Sequence, residues 1–167
     1  MRSGRLFYII VLLICIFETA RLWNISPGQM AAHFNIQGNP DRFAPKAEFF
    51  WFEFKIMLIV VGTSIPLQLL PVILPPNLIN MPNREYWLAS ERREETIDRL
   101  NSFAAMMFGV ILLMIHAVFE ISVYANLQTP IFFNAKLMLP FMVASFVAIG
   151  WMLFRLMASF RLPTTVR

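Results

Sequence analysis

Long apolar runs alternate with short polar ones along this chain. The stretch LFYIIVLLICIF, residues 6–17, contains no Asp, Glu, Lys, Arg or His, and it opens a first apolar segment that extends over residues 6–23. Three more segments follow, at 51–74, 102–124 and 137–154. An α-helix rises 1.5 Å per residue, so about 20 apolar residues cross roughly 30 Å of hydrocarbon. A segment in lipid must satisfy its own backbone hydrogen bonds, which makes each of these a helix. The pattern therefore predicts an all-α fold. It is an integral-membrane four-helix bundle in a single domain, 1–167, with one polar connection at 24–50 and another at 75–101.

Composition strengthens this reading. Hydrophobic residues make up 58% of the 167 positions and charged residues 14%, too apolar for one small soluble core. The one cysteine, Cys15, lies inside an apolar run, which leaves no disulfide framework and no Cys-rich metal site. The basic residues fall between apolar segments or at the chain ends, so they read as topology signals and not as a nucleic-acid footprint. No cofactor motif stands out. The first segment has the basic start, Arg2 and Arg5, and the apolar core of a signal peptide. Glu18-Thr19-Ala20-Arg21 then stands where a small-residue cleavage site belongs, so an uncleaved anchor is expected.

Positive charge orients the bundle. Nine arginines (Arg2, Arg5, Arg84, Arg92, Arg93, Arg99, Arg155, Arg161 and Arg167) fall on one side of the four spans, against five basic residues (Arg21, Arg42, Lys46, Lys55 and Lys136) on the other. The excess places both termini and the 75–101 connection in the cytoplasm, and the 24–50 connection outside. Trp23, Trp51, Trp87 and Trp151 fall at or near span ends, as an interfacial belt requires. Pro66 and Pro71 are expected to kink the second helix and Pro140 the fourth. Ala105/Gly109 and Ala144/Ala148 offer close helix contacts. The expected partners are the lipid bilayer and a membrane protein or further copies of this chain.

The outer connection contains HFNIQGNPDRFAPK, residues 33–46. Gly38-Asn39-Pro40-Asp41 is a turn signal, because Gly permits positive φ, Pro fixes φ, and Asn and Asp bond back to the backbone. His33-Phe34-Asn35 reads as a short extended piece before it. The whole is expected to form a compact turn that lids the bundle. Pro27, His33-Phe34-Asn35, Gly38, Pro40-Asp41 and Lys46 together resemble a bacterial membrane domain of unknown function. That domain forms the N-terminal part of SdpI-type bacteriocin immunity proteins. The resemblance covers about residues 5–75, and Pro82–Ala89 is similar to a segment of short members. It implies a multi-pass protein of the bacterial cytoplasmic (inner) membrane.

Ionisable residues occur inside or against the spans: Glu18 and Arg21 in the first, Glu53 and Lys55 in the second, His116 and Glu120 in the third, Lys136 at the start of the fourth. Tracing each helix direction puts them all in the outer half, beneath the loop that carries His33, Asn35, Asp41 and Lys46. A charge near a helix centre costs about 2.5–3.5 kcal/mol on insertion scales and is normally offset by pairing or water. Glu18/Arg21 and His116/Glu120 are spaced to share a helical face. Three readings follow: ion pairs that fix helix register, an outward pocket for a small ligand, proton or metal ion, or contacts to a partner's helix. A zinc set would draw on His116, Glu120, His33 and Glu18. His116 with Glu120 is also the one candidate for general-base chemistry.

The inner connection reads PNREYWLASERREETIDR over residues 82–99. Ser90 is placed as the N-cap of a helix beginning at Glu91 and running into the third span. Tyr86, Trp87, Arg92, Arg93, Glu94 and Glu95 are candidates for docking a soluble partner. Their mixed charge argues against simple attraction to anionic lipid. The leading functional expectation is a non-enzymatic membrane protein that senses or binds something at its outer face. The alternatives are an accessory subunit of a larger membrane complex, and a small enzyme or transporter built on the His–Glu pair.

Overall fold

A computed structural model describes residues 3–162 of the protein. It is 73% helical, and four of its helices are long and apolar enough to cross a membrane. In chain order the elements are α1 (Ser3–Ile25), β1 (Gln29–Phe34), β2 (Pro40–Pro45), α2 (Lys46–Ile73), α3 (Arg84–Trp87), α4 (Arg93–Asn126) and α5 (Met138–Ser159). Of the arginines counted for orientation, Arg2 and Arg167 lie outside the described residues.

The helices extend past the apolar runs that predict them, because their polar ends continue the same backbone. Lys46 to Glu48 form the first turn of α2, directly after the extended Pro45. At 34 residues α4 is about 51 Å long, well beyond the hydrocarbon thickness. Pro66 and Pro71 both lie inside α2. Pro140 does not interrupt α5: the helix starts at Met138, and in a first turn proline has no intrahelical bond to lose.

α4 is the central helix, contacting α1, α2 and α5. Its buried stripe recurs every three or four residues through Ala105, Phe108, Leu112, His116, Phe119 and Val123. Between lipid-embedded helices the hydrophobic effect is weak, and close packing decides association. Gly4 and Gly109 supply that closeness. A Cβ on Gly4 would stand 2.2 Å from the Ser102 carbonyl oxygen, and one on Gly109 would stand 2.6 Å from the Phe7 ring. The Gly4 N–H also donates to Ser102 Oγ at 3.2 Å. Two apolar clusters result. Val11, Cys15, Met57, Val60, Phe108 and Leu112 form one. Leu22, Met30, Phe50, Phe119 and Val123 form the other, nearer β1. α5 leans on α4 with no buried residue of its own.

The 24–50 connection differs from expectation. It is a β-hairpin and not a turn-built loop. β1 and β2 pair antiparallel, with Met30 opposite Ala44 and Ala31 opposite Phe43, and the register is irregular around His33. Asn35 shapes the tip by accepting from the Gln37 and Asn39 N–H groups, both at 3.0 Å. Gly38 follows with φ +88°, where side chains are strained. Its carbonyl accepts from Phe133 N–H at 2.8 Å, which ties the tip to the segment before α5. Met30 and Ala31 are fully buried.

At the opposite end both described chain ends pack on the segment that runs from Asn83 into α4. The Phe160 carbonyl accepts from Asn83 Nδ2 at 2.7 Å and from the Trp87 indole at 2.9 Å, and Arg5 pairs with Asp98. The Ser90 cap does not form. α4 begins at Arg93 after Arg92, and the Ser90 hydroxyl instead donates to the Glu91 carboxylate at 2.9 Å. The Glu91 backbone N–H and that hydroxyl together hold its carboxyl below the usual carboxylate range.

Candidate functional site

Between the two apolar clusters lies a buried polar pair. Glu53 on α2 and His116 on α4 are 3% and 5% exposed. Their nearest atoms, Glu53 Oε1 and His116 Nδ1, are 3.6 Å apart, too far for a good hydrogen bond. Neither these atoms nor His116 Nε2 has a hydrogen-bond partner among the described residues. Orphaned buried polar atoms are costly, and in a native fold each one calls for an explanation. The Phe119 ring lies 6.0 Å from the imidazole and packs against Phe49 and Phe50. That aromatic layer separates the pair from the hairpin above it.

One helical turn further toward the hairpin the chemistry changes. Arg21 on α1 pairs with Glu18 at 2.5 Å and reaches Glu120 on α4 at 3.4 Å. It also donates to the Tyr124 hydroxyl at 3.2 Å. The His116–Glu120 pairing expected from i,i+4 spacing is therefore split. α1 and α2 pack on different flanks of α4, so His116 turns to Glu53 and Glu120 turns to Arg21. His116 and Glu120 make no hydrogen bond to each other among the described residues.

The two halves meet at a groove. A cavity of about 410 Å³ runs along α4 between α1 and α5, and its walls include Glu18, Leu113, His116, Glu120, Ala144 and Ala148. Two carboxylates stand at its hairpin-side rim, and its lining is otherwise mostly apolar. The small residues of α5 that were expected to pack against a helix line this groove instead. His116 belongs both to the groove wall and to the buried pair with Glu53.

The remaining candidates lie elsewhere. His33 Nδ1 pairs with the Asp41 carboxylate across the hairpin at 2.6 Å, and both are exposed. The hairpin thus keeps His33 out of the bundle. Among the described residues no three His, Cys, Asp or Glu side chains come together as a metal site, so the zinc set drawn from His116, Glu120, His33 and Glu18 is not assembled. Asn35 is structural at the tip. Lys46 Nζ reaches the Trp23 and Ser26 carbonyls at 3.1 and 3.3 Å and lies 4.7 Å above the Trp23 ring. It caps the end of α1, where carbonyls carry partial negative charge. Lys55 and Lys136 are exposed and outside the groove lining.

Among the candidates in the 75–101 connection, Arg92 stacks on Tyr86 at 4.0 Å and donates to its carbonyl at 2.8 Å. Arg93 reaches the Leu74 carbonyl, and Trp87 holds Phe160. Five of the six thus make intramolecular contacts, the exposed Glu95 by pairing with Arg99 at 2.6 Å, and Glu94 is exposed.

Sequence reasoning missed Asn126. Its buried amide accepts from Ala31 N–H at 2.6 Å and donates to the carbonyls of Ala31 at 3.2 Å and Ser122 at 2.9 Å. This one side chain bonds β1 to the end of α4. An asparagine directly after an apolar helix was the available signal.

Residues 9–58 match a family described as a domain of unknown function (DUF1648). No curated protein matches the chain, and no solved structure does. The chain is thus similar to that family over most of α1, the hairpin and the first half of α2. This span includes Glu18, Arg21 and Glu53, while His116 and Glu120 lie beyond it.

Proposed function

We propose that this protein is a non-enzymatic, multi-pass bacterial inner-membrane protein that binds a ligand in the α1–α4–α5 groove on its outward side. Both termini are cytoplasmic in this reading and the hairpin faces out, which the excess of basic residues at the terminal end supports. The match over residues 9–58 supports a relation to the N-terminal domain of SdpI-type proteins.

The single observation that carries the binding reading is the double membership of His116. It lines the groove, and its orphaned Nδ1 lies 3.6 Å from Glu53 on α2. A ligand seated in the groove contacts the same ring that faces α2. Its arrival therefore alters the contact between α4 and α2, and that is a route from the outer half to the rest of the bundle.

The test is an inventory of small molecules retained by protein purified in neutral detergent, read by native mass spectrometry, for the unaltered chain and for Leu113→Trp, which fills the groove. Leu113 is exposed enough to take the larger ring. A stoichiometric adduct lost in the variant is the expected result. The same adduct on both proteins, or none on either, counts against the groove. A stoichiometric partner protein would instead favour an accessory subunit.

A further inference from the structure

The groove's charge balance points to a class of ligand, an inference that rests on the groove being a binding site. Glu18 and Glu120 bring two negative charges to the rim, and Arg21 brings one positive charge. Arg21 is held closest by Glu18, at 2.5 Å, and meets Glu120 only at 3.4 Å. Glu120 is the under-compensated carboxylate. In a low-dielectric setting such an excess charge is costly unless a cation meets it. Lys55 stands exposed on α2, outside the lining, and Lys136 is exposed before the start of α5.

We infer that the groove takes a single-chain amphiphile bearing one primary ammonium group. The ammonium sits at the Glu120 rim, and the hydrocarbon chain runs along Leu113, Met114, Ala144 and Ala148. Three features select this class. The rim carries one net negative charge, which one positive charge neutralises. The acceptors at the rim are the Glu18 and Glu120 carboxylates, while the nitrogens of His116, in the same wall, are buried. A primary ammonium has three N–H donors to share between those carboxylates, and a quaternary one has none. Finally, a volume of about 410 Å³ lies in the range of small-molecule sites, roughly 300–1,000 Å³, and its mostly apolar lining suits a hydrocarbon chain.

The probes are dodecylamine, dodecyltrimethylammonium and dodecanol, added to the full chain in a neutral maltoside detergent at neutral pH and read by native mass spectrometry. Dodecylamine is expected to bind once per chain, at least tenfold more tightly than either of the others. Glu120→Gln is expected to reduce it to the level of dodecanol, and Leu113→Trp to remove all three. Equal binding of amine and alcohol, lost in Leu113→Trp, overturns the ammonium class and leaves the groove standing. Equal binding of the two cations overturns the hydrogen-bonded headgroup. Amine binding indifferent to both substitutions is partitioning elsewhere and overturns the inference. A failure of all three probes to bind overturns the groove as well.

Discussion

Glu53 and His116 face each other across the α2–α4 interface at 3.6 Å, each almost wholly buried and each with polar atoms left unpartnered. Removing one member of a buried pair strands the other, at a cost on the order of 3–5 kcal/mol, whereas replacing both with apolar residues is often neutral. His116→Leu and Glu53→Leu are therefore each expected to destabilise the bundle strongly. The double variant Glu53→Leu/His116→Leu is expected to recover most of the loss. Reversible unfolding of the three variants in mild detergent measures this as a double-mutant cycle. Additive losses would mean the two side chains do not interact.

Asn126 holds the hairpin by two hydrogen bonds, both to Ala31, and makes a third to the Ser122 carbonyl of its own helix. Asn126→Ala leaves the buried Ala31 amide without its acceptor, which costs about 1–3 kcal/mol. The loss is local to β1, so amide exchange at Met30 and Ala31 is expected to quicken while exchange in the middle of α4 stays unchanged. Uniform acceleration throughout the chain would show that hairpin and helix open as one unit.

Gly4→Ala tests the tightest approach of α1 to α4. The added Cβ would meet the Ser102 backbone oxygen at 2.2 Å, and a carbonyl inside a helix has little room to give way. A loss of about 1–3 kcal/mol is expected. Gly150→Ala is the control, since nothing lies within 4 Å of its Cβ position. Equal behaviour of the two variants would remove the close approach as a stabilising feature.

Glu91 supplies a pH dependence outside the membrane-spanning segments. Its carboxyl is held below its ordinary range, by its own backbone N–H first and by the Ser90 hydroxyl second. A depressed carboxyl pKa stabilises the fold above the unfolded value and loses that contribution as pH falls through the folded one. Ser90→Ala is expected to raise the Glu91 pKa, as read by carboxyl-carbon NMR titration. An unchanged titration would leave the backbone contact as the whole cause.

The spans were legible because an apolar run of membrane length permits one structure. The helix ends were less so. Lys46 and Glu48 look like loop, yet they continue the helix that the apolar residues require. The hairpin escaped because its burial does not alternate: Met30 and Ala31 are buried side by side, one in the apolar cluster and the other against Asn126. The hairpin is also held by a contact 95 residues away in sequence. The ionisable cluster was legible as a set of residues but not as a set of pairs. Local spacing joined His116 to Glu120, and only the rotation of α1 and α2 about α4 shows that each side chain looks to a different neighbour.

Asn126 is the last residue of α4, and every member of both apolar clusters, the Glu53–His116 pair and the whole hairpin precede it in the chain. α5 adds no buried residue of its own. A ribosome that has synthesised and released the first 126 residues into the bilayer has already delivered both apolar clusters and the buried polar pair. The final helix then arrives as a wall set against them, and its arrival is the step that turns an open flank of α4 into a groove.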